Sequence, residues 1–149
     1  MDIIIERLPD DRMDEALQLL RDVFYGEQNI PVELHPLPEQ RKPVWWFAHI
    51  DSQMVGVVAG WTVDGEWHWG RFAVPRKLRG TGIGKKLATF SIREIFGLGA
   101  EEIYIEARDV TVGILQKLGG RILGEPMDFH GDPVTPMVLK KIDFLTTIG

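Results

Sequence analysis

Three glycines, Gly80, Gly82 and Gly84, lie between a predicted strand and a predicted helix. Because glycine has no side chain, the backbone N–H groups of such a turn can approach a ligand closely, and the first N–H groups of a helix have no intrahelical partner. A helix N-terminus favours negative charge by typically ~0.3–1 kcal/mol. Arg79 and Lys85 flank the turn and would add charge-assisted hydrogen bonds to a phosphate. The segment therefore predicts a phosphate-binding turn.

The charge of the chain is unevenly distributed around this turn. The 149 residues have a net charge of -5, which argues against a general nucleic-acid-binding protein, because such proteins rely on a basic surface. No acidic residue lies between Glu66 and Glu94, and this window contains the basic residues Arg71, Arg76, Lys77, Arg79, Lys85, Lys86 and Arg93. An acidic chain thus contains one basic segment around the turn, and such a local excess of positive charge would attract a phosphate.

Three phosphate-binding motifs use glycines at similar spacing. A nucleotide P-loop needs G-x-x-x-x-G-K-[ST]. Counted from Gly84, its first glycine position holds Arg79 and its last position holds Lys86. A dinucleotide fingerprint needs G-x-G-x-x-G, but its third glycine position holds Lys85. The remaining pattern, [Q/R]-x-x-G-x-[G/A], is met by Arg79, Gly82 and Gly84.

This third pattern resembles the CoA-binding motif of the GNAT acetyltransferase superfamily, in which the motif follows the fourth strand. Here the apolar strand end Phe72-Ala73-Val74-Pro75 precedes the motif, and a predicted helix follows it. The order of predicted elements over nearly the whole chain also matches that family. The resemblance implies acetyl-CoA as cosubstrate, with cofactor-binding residues Phe72, Ala73, Val74, Arg79, Gly80, Thr81, Gly82, Ile83, Gly84 and Lys85.

The resemblance also implies a reaction. An acetyl group would move from acetyl-CoA to a primary amine of a small molecule or peptide, by direct attack of the amine on the thioester. Only about 0.1% of a lysine-like amine, with a pKa of ~10.4, is neutral at about pH 7.4, so a general base is expected. The carbonyl oxygen gains negative charge, and the resemblance assigns its stabilisation to a free backbone N–H near Val74. The alternative function is a CoA-binding or regulatory module with weak or no catalysis.

His68 is the first candidate for the base. Strand alternation predicts one face formed by Glu66, His68, Gly70 and Phe72. Imidazole is mostly neutral near physiological pH and can accept a proton. His68 stands eleven residues before Arg79, an offset at which histone-type members of the superfamily have a catalytic glutamate. The alternative is a packed, hydrogen-bonded histidine between two tryptophans, and Glu66 and Glu27 are the competing candidates for the base.

The expected general acid departs from the family pattern. Many members have a tyrosine four residues before the glycine of a K-x-G-F-like run, and here that position holds Leu115. Leucine cannot donate a proton, so an acid would have to come from elsewhere, for example from water or Tyr25. Arg108 stands where asparagine is frequent in the family. The missing tyrosine is the observation that favours the catalytically weak alternative.

Histidines and tryptophans outside this strand give less specific signals. The four histidines, His35, His49, His68 and His130, share no metal-ligand spacing, so we predict no metal site. Large aromatic residues on strands usually belong to the core. We therefore expect most of the tryptophans to be core residues and one or two to line the acceptor pocket, among Trp45, Trp46, Trp61, Trp67 and Trp69.

The hydrophobic pattern predicts the elements that position these residues. Apolar periodicity and glycine or proline boundaries indicate the order β-α-β-β-β-α-β-α-β-β. The predicted elements are a strand at 3–8, a helix from Pro9, strands at 44–50, 54–63 and 66–74, a helix at 83–98, a strand at 101–107, a helix at 110–118, and a final hairpin of 121–124 with 136–142. This order predicts an α+β, GNAT-like fold with a twisted, mixed but mostly antiparallel sheet and helices on both faces. The resemblance implies a sheet that splays beside residues 72–74, where the strand at Phe72 runs parallel to the strand at Ile103.

Length and composition set the remaining expectations. A chain of 149 residues predicts one acyl-CoA-binding domain over residues 1–149. The chain has no cysteine, which excludes disulfides and thiolate catalysis. The apolar run at residues 3–5 is far shorter than a membrane span or a secretory signal. We predict a cytoplasmic protein with no nucleic-acid or membrane partner, and the identity of the acceptor and a homodimeric state stay open.

Overall fold

A computed structural model describes residues 2–25, 42–129 and 131–148, and one eight-stranded sheet runs through them. The sheet has the order β1-β2-β3-β4-β5-β8-β6, and β7 pairs with β8 at its side. Within the described residues, all pairings are antiparallel except that of β4 with β5. The strands are β1 Ile4–Arg7, β2 Val44–Ile50, β3 Gln53–Val63, β4 Glu66–Ala73, β5 Glu102–Arg108, β6 Arg121–Ile122, β7 Met127–Phe129 and β8 Asp132–Lys140.

Helices cover both faces of this sheet. They are α1 Met13–Leu20, which continues as a wider turn over Arg21–Tyr25, α2 Ile83–Gly97, α3 Asp109–Lys117 and α4 Lys141–Ile148. Buried residues of α1 pack with one face of β2, β3 and β4, and buried residues of α2, α3 and α4 pack with the other face. The predicted α+β fold, with a mostly antiparallel sheet and helices on both faces, is confirmed.

The chain end differs from the prediction. The last strand was expected to run to residue 142, but β8 ends at Lys140 and α4 begins at Lys141. Phe144 on α4 is fully buried, and its ring lies 5.4 Å from that of Phe96 on α2. Burial of a phenylalanine stabilises the fold by about 1.5–3 kcal/mol, enough to favour a short helix whose own sequence signal is weak.

The tryptophans divide largely as expected. Trp45 and Trp46 are adjacent on β2 and therefore point to opposite faces, where each is buried in a different core. Trp69 on β4 is also buried, and its indole N–H donates a 2.9 Å hydrogen bond to Ser91 Oγ. Trp61 is only partly buried and is free to contribute to a cavity.

The parallel pair β4 and β5 separates soon after it forms. Its registered pairs within the described residues are Trp67↔Ile103 and His68↔Tyr104, although β4 continues to Ala73 and β5 to Arg108. The predicted parallel pairing of these strands is confirmed. Beyond it the strands leave a gap in the middle of the sheet.

A β-bulge at Arg71 changes the side-chain directions along β4. Gly70 pairs with Ala59 and Ala73 pairs with Val57, so β4 holds one residue more than β3 between these pairs. Arg71 adopts a positive φ of 55° at this point. Such an extra residue interrupts the period-two alternation of a strand.

The predicted common face of four residues on β4 was therefore wrong for Phe72. The ring of Phe72 lies 5.0 Å from that of Trp69, in the core beneath α2. The ring of His68 lies against Trp61, on the side of α1. The physical reason is the bulge, which shifts every residue after Arg71 by one position in the alternation.

Candidate functional site

The glycine-rich turn forms one wall of a cavity of about 420 Å³ at the N-terminus of α2. Gly82 is the N-cap of this helix with φ of 91°, and Gly80 has φ of 83°. A Cβ atom at either position would meet nothing within 4 Å, so the turn backbone is open to a ligand. The cavity is lined by Phe72, Val74, Arg79, Gly80, Gly82, Gly84, Lys85, Arg108, Val110, Thr111 and Ile114. We refer to it as the donor cleft.

The charge of the donor cleft suits an anionic ligand. Arg79 and Lys85 supply cations beside the open backbone of the turn, the combination that binds pyrophosphate. Gly84 packs closely, because a Cβ there would lie 3.3 Å from Phe72 Cζ and 3.5 Å from Ile114 Cδ1. This contact joins the start of α2 to the apolar wall of the cleft.

Seven of the ten predicted cofactor residues line this cleft. The other three do not: Ala73 and Ile83 are buried, one in each core, and Thr81 is exposed at the turn. Ala73 and Ile83 line neither cavity, so any contact of these two residues with a ligand would be through their backbone.

A second cavity of about 360 Å³ lies on the other side of the gap between β4 and β5. Its lining residues are Phe24, Trp61, His68, Trp69, Gly70, Arg71, Phe72, Tyr104, Ile105, Glu106, Ala107, Arg108, Thr111 and Val134. We refer to it as the acceptor pocket. Phe72, Arg108 and Thr111 line both cavities, so the gap between the strands is where a molecule in one would meet a molecule in the other.

Arg108 spans this gap. Its Nη2 donates a 2.8 Å hydrogen bond to the carbonyl oxygen of Phe72, and its guanidinium lies 4.5 Å from the ring centre of Phe24. The wide separation of β4 and β5 would leave this carbonyl without a strand partner, and the arginine supplies one.

His68 belongs to a group of polar and aromatic side chains where β4 and β5 are still paired. Its Nε2 lies 3.3 Å from Glu66 Oε1, and its ring stacks on Trp61 with centroids 5.9 Å apart. The ring of Tyr104 lies 6.2 Å away on β5, and its hydroxyl donates a 3.1 Å hydrogen bond to Glu102. This hydrogen bond, and then the charge of Glu102, raise the pKa of Tyr104. His68 is thus packed between aromatic rings and also lines the acceptor pocket.

Arg71, one of the basic residues between Glu66 and Glu94, lines the acceptor pocket and not the donor cleft, which the sequence did not predict. Its guanidinium lies 5.7 Å from the ring centre of Trp61. Burial lowers the pKa of Arg71, while the negative charge of Glu106 on β5 raises it. An arginine stays protonated under either influence, so the pocket contains a fixed positive charge.

The other predicted catalytic positions have different outcomes. Leu115 is fully buried in the core beneath the sheet and lines neither cavity. Glu27 lies outside the described residues, and so does the side chain of Tyr25.

Three further polar residues that line the acceptor pocket were not predicted from the sequence: Tyr104, Glu106 and Thr111. A signal for the first two was present, because β5 alternates apolar buried residues with polar ones, and its polar face holds Glu102, Tyr104, Glu106 and Arg108. Thr111 is 3% exposed on the first turn of α3, and nothing in its local sequence marks it.

No group of histidine and acidic side chains that could hold a metal ion occurs within residues 2–25, 42–129 and 131–148. In the same ranges, every helix is too short or too polar to cross a membrane.

Comparison with known proteins identifies the family. Residues 12–119, well over half of the chain, match the model of the acetyltransferase (GNAT) family. The chain belongs to the GNAT acetyltransferase family. No curated protein sequence matches it significantly.

Several solved protein structures share the fold of this GNAT-family chain. ElaA of Escherichia coli superposes with a TM-score of 0.79 and 20% identity, over 92% of this chain and 99% of that one. An acyl-CoA N-acyltransferase of Pseudomonas aeruginosa gives 0.72 and 19%, over 92% and 97%. An aminoglycoside 6'-N-acetyltransferase, solved with coenzyme A, gives 0.71 and 17%, over 92% and 96%. At these identities the likeness concerns the fold.

Proposed function

We propose that this GNAT-family acyltransferase moves an acetyl group from acetyl-CoA to a primary amine of a small molecule or peptide. One observation carries the proposal: the donor cleft and the acceptor pocket meet at Phe72, Arg108 and Thr111. A thioester entering from the cleft and an amine entering from the pocket would reach the same gap. Such proximity can lower the barrier of a two-substrate reaction by roughly 7–11 kcal/mol.

The transfer forms one N–C bond and breaks one C–S bond. The neutral amine attacks the carbonyl carbon that acetyl-CoA supplies and loses a proton to the protein as the C–S bond breaks. CoA leaves as a thiolate, which then takes up a proton from the protein or from water. A backbone N–H near Val74, beside the opened edge of β4, would stabilise the charge that develops on the carbonyl oxygen. These roles follow the family chemistry, applied to residues of this chain.

His68 is the proposed base. Its contact with Glu66 at 3.3 Å would stabilise the protonated ring after it accepts a proton. Glu66 itself is more exposed than His68, at 51% against 28% of the side chain. Water would therefore reach the Glu66 carboxylate more easily and compete with the amine for it. Glu27 remains a third candidate.

The leaving group needs only modest help. A thiol with an ordinary pKa of ~8.5 is a far better leaving group than an alcohol, so a strong acid is not required. Thr111 and Arg108 line both cavities, and their hydroxyl and guanidinium groups would stabilise a departing thiolate by hydrogen bonding or charge. They would take over the task that a tyrosine performs in other members.

A CoA-binding or regulatory module with weak or no catalysis is the second candidate. The specific observation in its favour is Leu115, which is fully buried in the core and has no polar group. Such a module would keep the donor cleft but release no product.

Turnover separates the two candidates. We would measure acetyl-CoA binding by calorimetry and CoA release with a free-thiol reagent, using a broad panel of primary amines. Amine-dependent CoA release, with acetylated product in the mass spectrum, is the expected result. Tight binding of acetyl-CoA without CoA release or hydrolysis, for every amine, would support the module instead.

A further inference from the structure

We propose that the acceptor is a free α-amino acid with an apolar or aromatic side chain, and that Arg71 binds its carboxylate. This assignment rests on the proposed acetyl transfer and names its substrate class. Its starting point is the conformation of Arg71. Five non-glycine residues have a positive φ within the described residues, and Arg71 is the one that lies inside a strand.

Glycine is the residue that suits this bulge position, because a side chain makes positive φ unfavourable. An arginine in its place indicates that its side chain has a function that outweighs the strain. The bulge directs the guanidinium over Trp61 and into the acceptor pocket. A planar guanidinium presents paired N–H donors that match a carboxylate.

The charges around Arg71 match those of an amino acid. Glu106 lines the same pocket from β5 and attracts Arg71 electrostatically across the gap. A zwitterion brings one negative and one positive group on a single carbon, so its carboxylate complements Arg71 and its ammonium complements Glu106. A purely cationic amine would instead meet two guanidiniums, those of Arg71 and Arg108, and be repelled.

The position of Arg71 also suits the reaction. Arg71 is adjacent in sequence to Phe72, which lines both cavities. A carboxylate held by Arg71 therefore keeps the neighbouring amine close to the gap where the two cavities meet and where the thioester would lie. The side chain of the amino acid would then extend along β4 towards the rings of Trp61, His68 and Tyr104.

The size and lining of the pocket fit this class. Its volume of about 360 Å³ is at the small end of the range for small-molecule sites. The aromatic rings of Phe24, Trp61 and Tyr104 favour an apolar or aromatic side chain over a charged one. Phenylalanine is accordingly the probe of choice.

The first test compares three acceptors with the wild-type protein: L-phenylalanine, L-phenylalaninamide and 2-phenylethylamine. We expect kcat/KM to be at least tenfold higher for phenylalanine than for either analogue without a carboxylate. The amide provides a strict comparison, because its less basic amine is more often neutral and would react faster without the carboxylate contact.

The second test changes the arginine. Arg71→Met should lower kcat/KM for phenylalanine at least tenfold and bring its ratio to the amide close to one. Arg93→Met, at an exposed position of α2, should keep the wild-type ratio. If Arg71→Met folds poorly at positive φ, Arg71→Gly suits that conformation and should give the same loss of preference.

The possible outcomes separate the proposed acetyl transfer from the assignment of an amino acid as the acceptor. Absence of turnover with every amine, despite acetyl-CoA binding, would overturn the proposed acetyl transfer and this assignment with it. Turnover with no preference for phenylalanine over its amide would overturn the assignment alone, as would a preference that survives in both Arg71 variants.

Discussion

Arg108 on β5 donates a 2.8 Å hydrogen bond to the carbonyl oxygen of Phe72 on β4, across strands whose registered pairs end at His68↔Tyr104. The arginine thus replaces part of the missing strand ladder. It also lies where the donor cleft and the acceptor pocket meet. One side chain therefore contributes to the fold and borders the proposed reaction site.

The structural part of this role can be measured. Arg108→Met keeps the reach of the side chain but removes the donor to Phe72 and the cation over Phe24, and should destabilise the protein by about 2 kcal/mol. For a chain of this size we expect a fall in Tm of roughly 4–8 °C. Arg93→Met, at an exposed position of α2, should stay within about 0.5 kcal/mol of the wild type. Equal stability of the two variants would argue against a stabilising role for Arg108.

The glycine-rich turn gives a prediction for the donor. Gly82→Asp and Gly82→Asn have similar size, and both residue types tolerate the positive φ of Gly82 better than most. Only Asp adds a negative charge where phosphate should bind, so the acetyl-CoA Kd should rise at least tenfold more in Gly82→Asp, or ~1.4 kcal/mol. Calorimetry on folded protein measures both. Equal Kd values for the pair would show that no phosphate approaches this backbone.

The proposed base can be tested with a matched histidine. His68→Gln cannot accept a proton near neutrality, so kcat/KM should fall 10²–10⁴-fold while the acetyl-CoA Kd is kept. His49 on β2 lies 2.7 Å from Glu6 and lines neither cavity. His49→Gln should therefore affect stability but leave activity per folded molecule near wild type. Should both variants be equally active, the base would be Glu66, Glu27 or water.

Thr111 lines both cavities, and its hydroxyl gives the last prediction. Thr111→Val keeps the shape of the side chain but removes the hydroxyl, and Thr111→Ser keeps the hydroxyl. If this group donates to the leaving sulfur, kcat should fall roughly 10- to 100-fold in Thr111→Val and stay within threefold in Thr111→Ser, since a hydrogen bond to a charged group contributes ~1.5–3 kcal/mol. Rapid-quench measurement of a single turnover isolates the chemical step. A fall of the same size in both variants would indicate a packing role.

The turn and the order of elements were predictable because both depend on local sequence. Glycine spacing and flanking basic residues at Arg79 and Lys85 require no knowledge of distant contacts. The same holds for β2, predicted and observed at Val44–Ile50, and for the start of α2 at Ile83. Local patterns failed at α4, whose helix is favoured by the packing of Phe144 on Phe96.

The acceptor side was harder to predict because its residues come from distant positions. Strict alternation along β4 placed Phe72 beside His68, and the bulge at Arg71 moved it to the opposite face. An extra residue is visible only through the pairing of β4 with β3, since the sequence of one strand does not determine its register.

The sequence by itself determined the family, the donor turn and the approximate order of elements, because each depends on residues close together in the chain. The tertiary structure alone decided where β4 and β5 separate, that Arg108 reaches Phe72, and that Arg71 and Glu106 share a pocket. It also decided that Leu115 is buried in the core. These features depend on how neighbouring strands and helices pack against each other, and a linear pattern carries no record of which neighbour a strand will have.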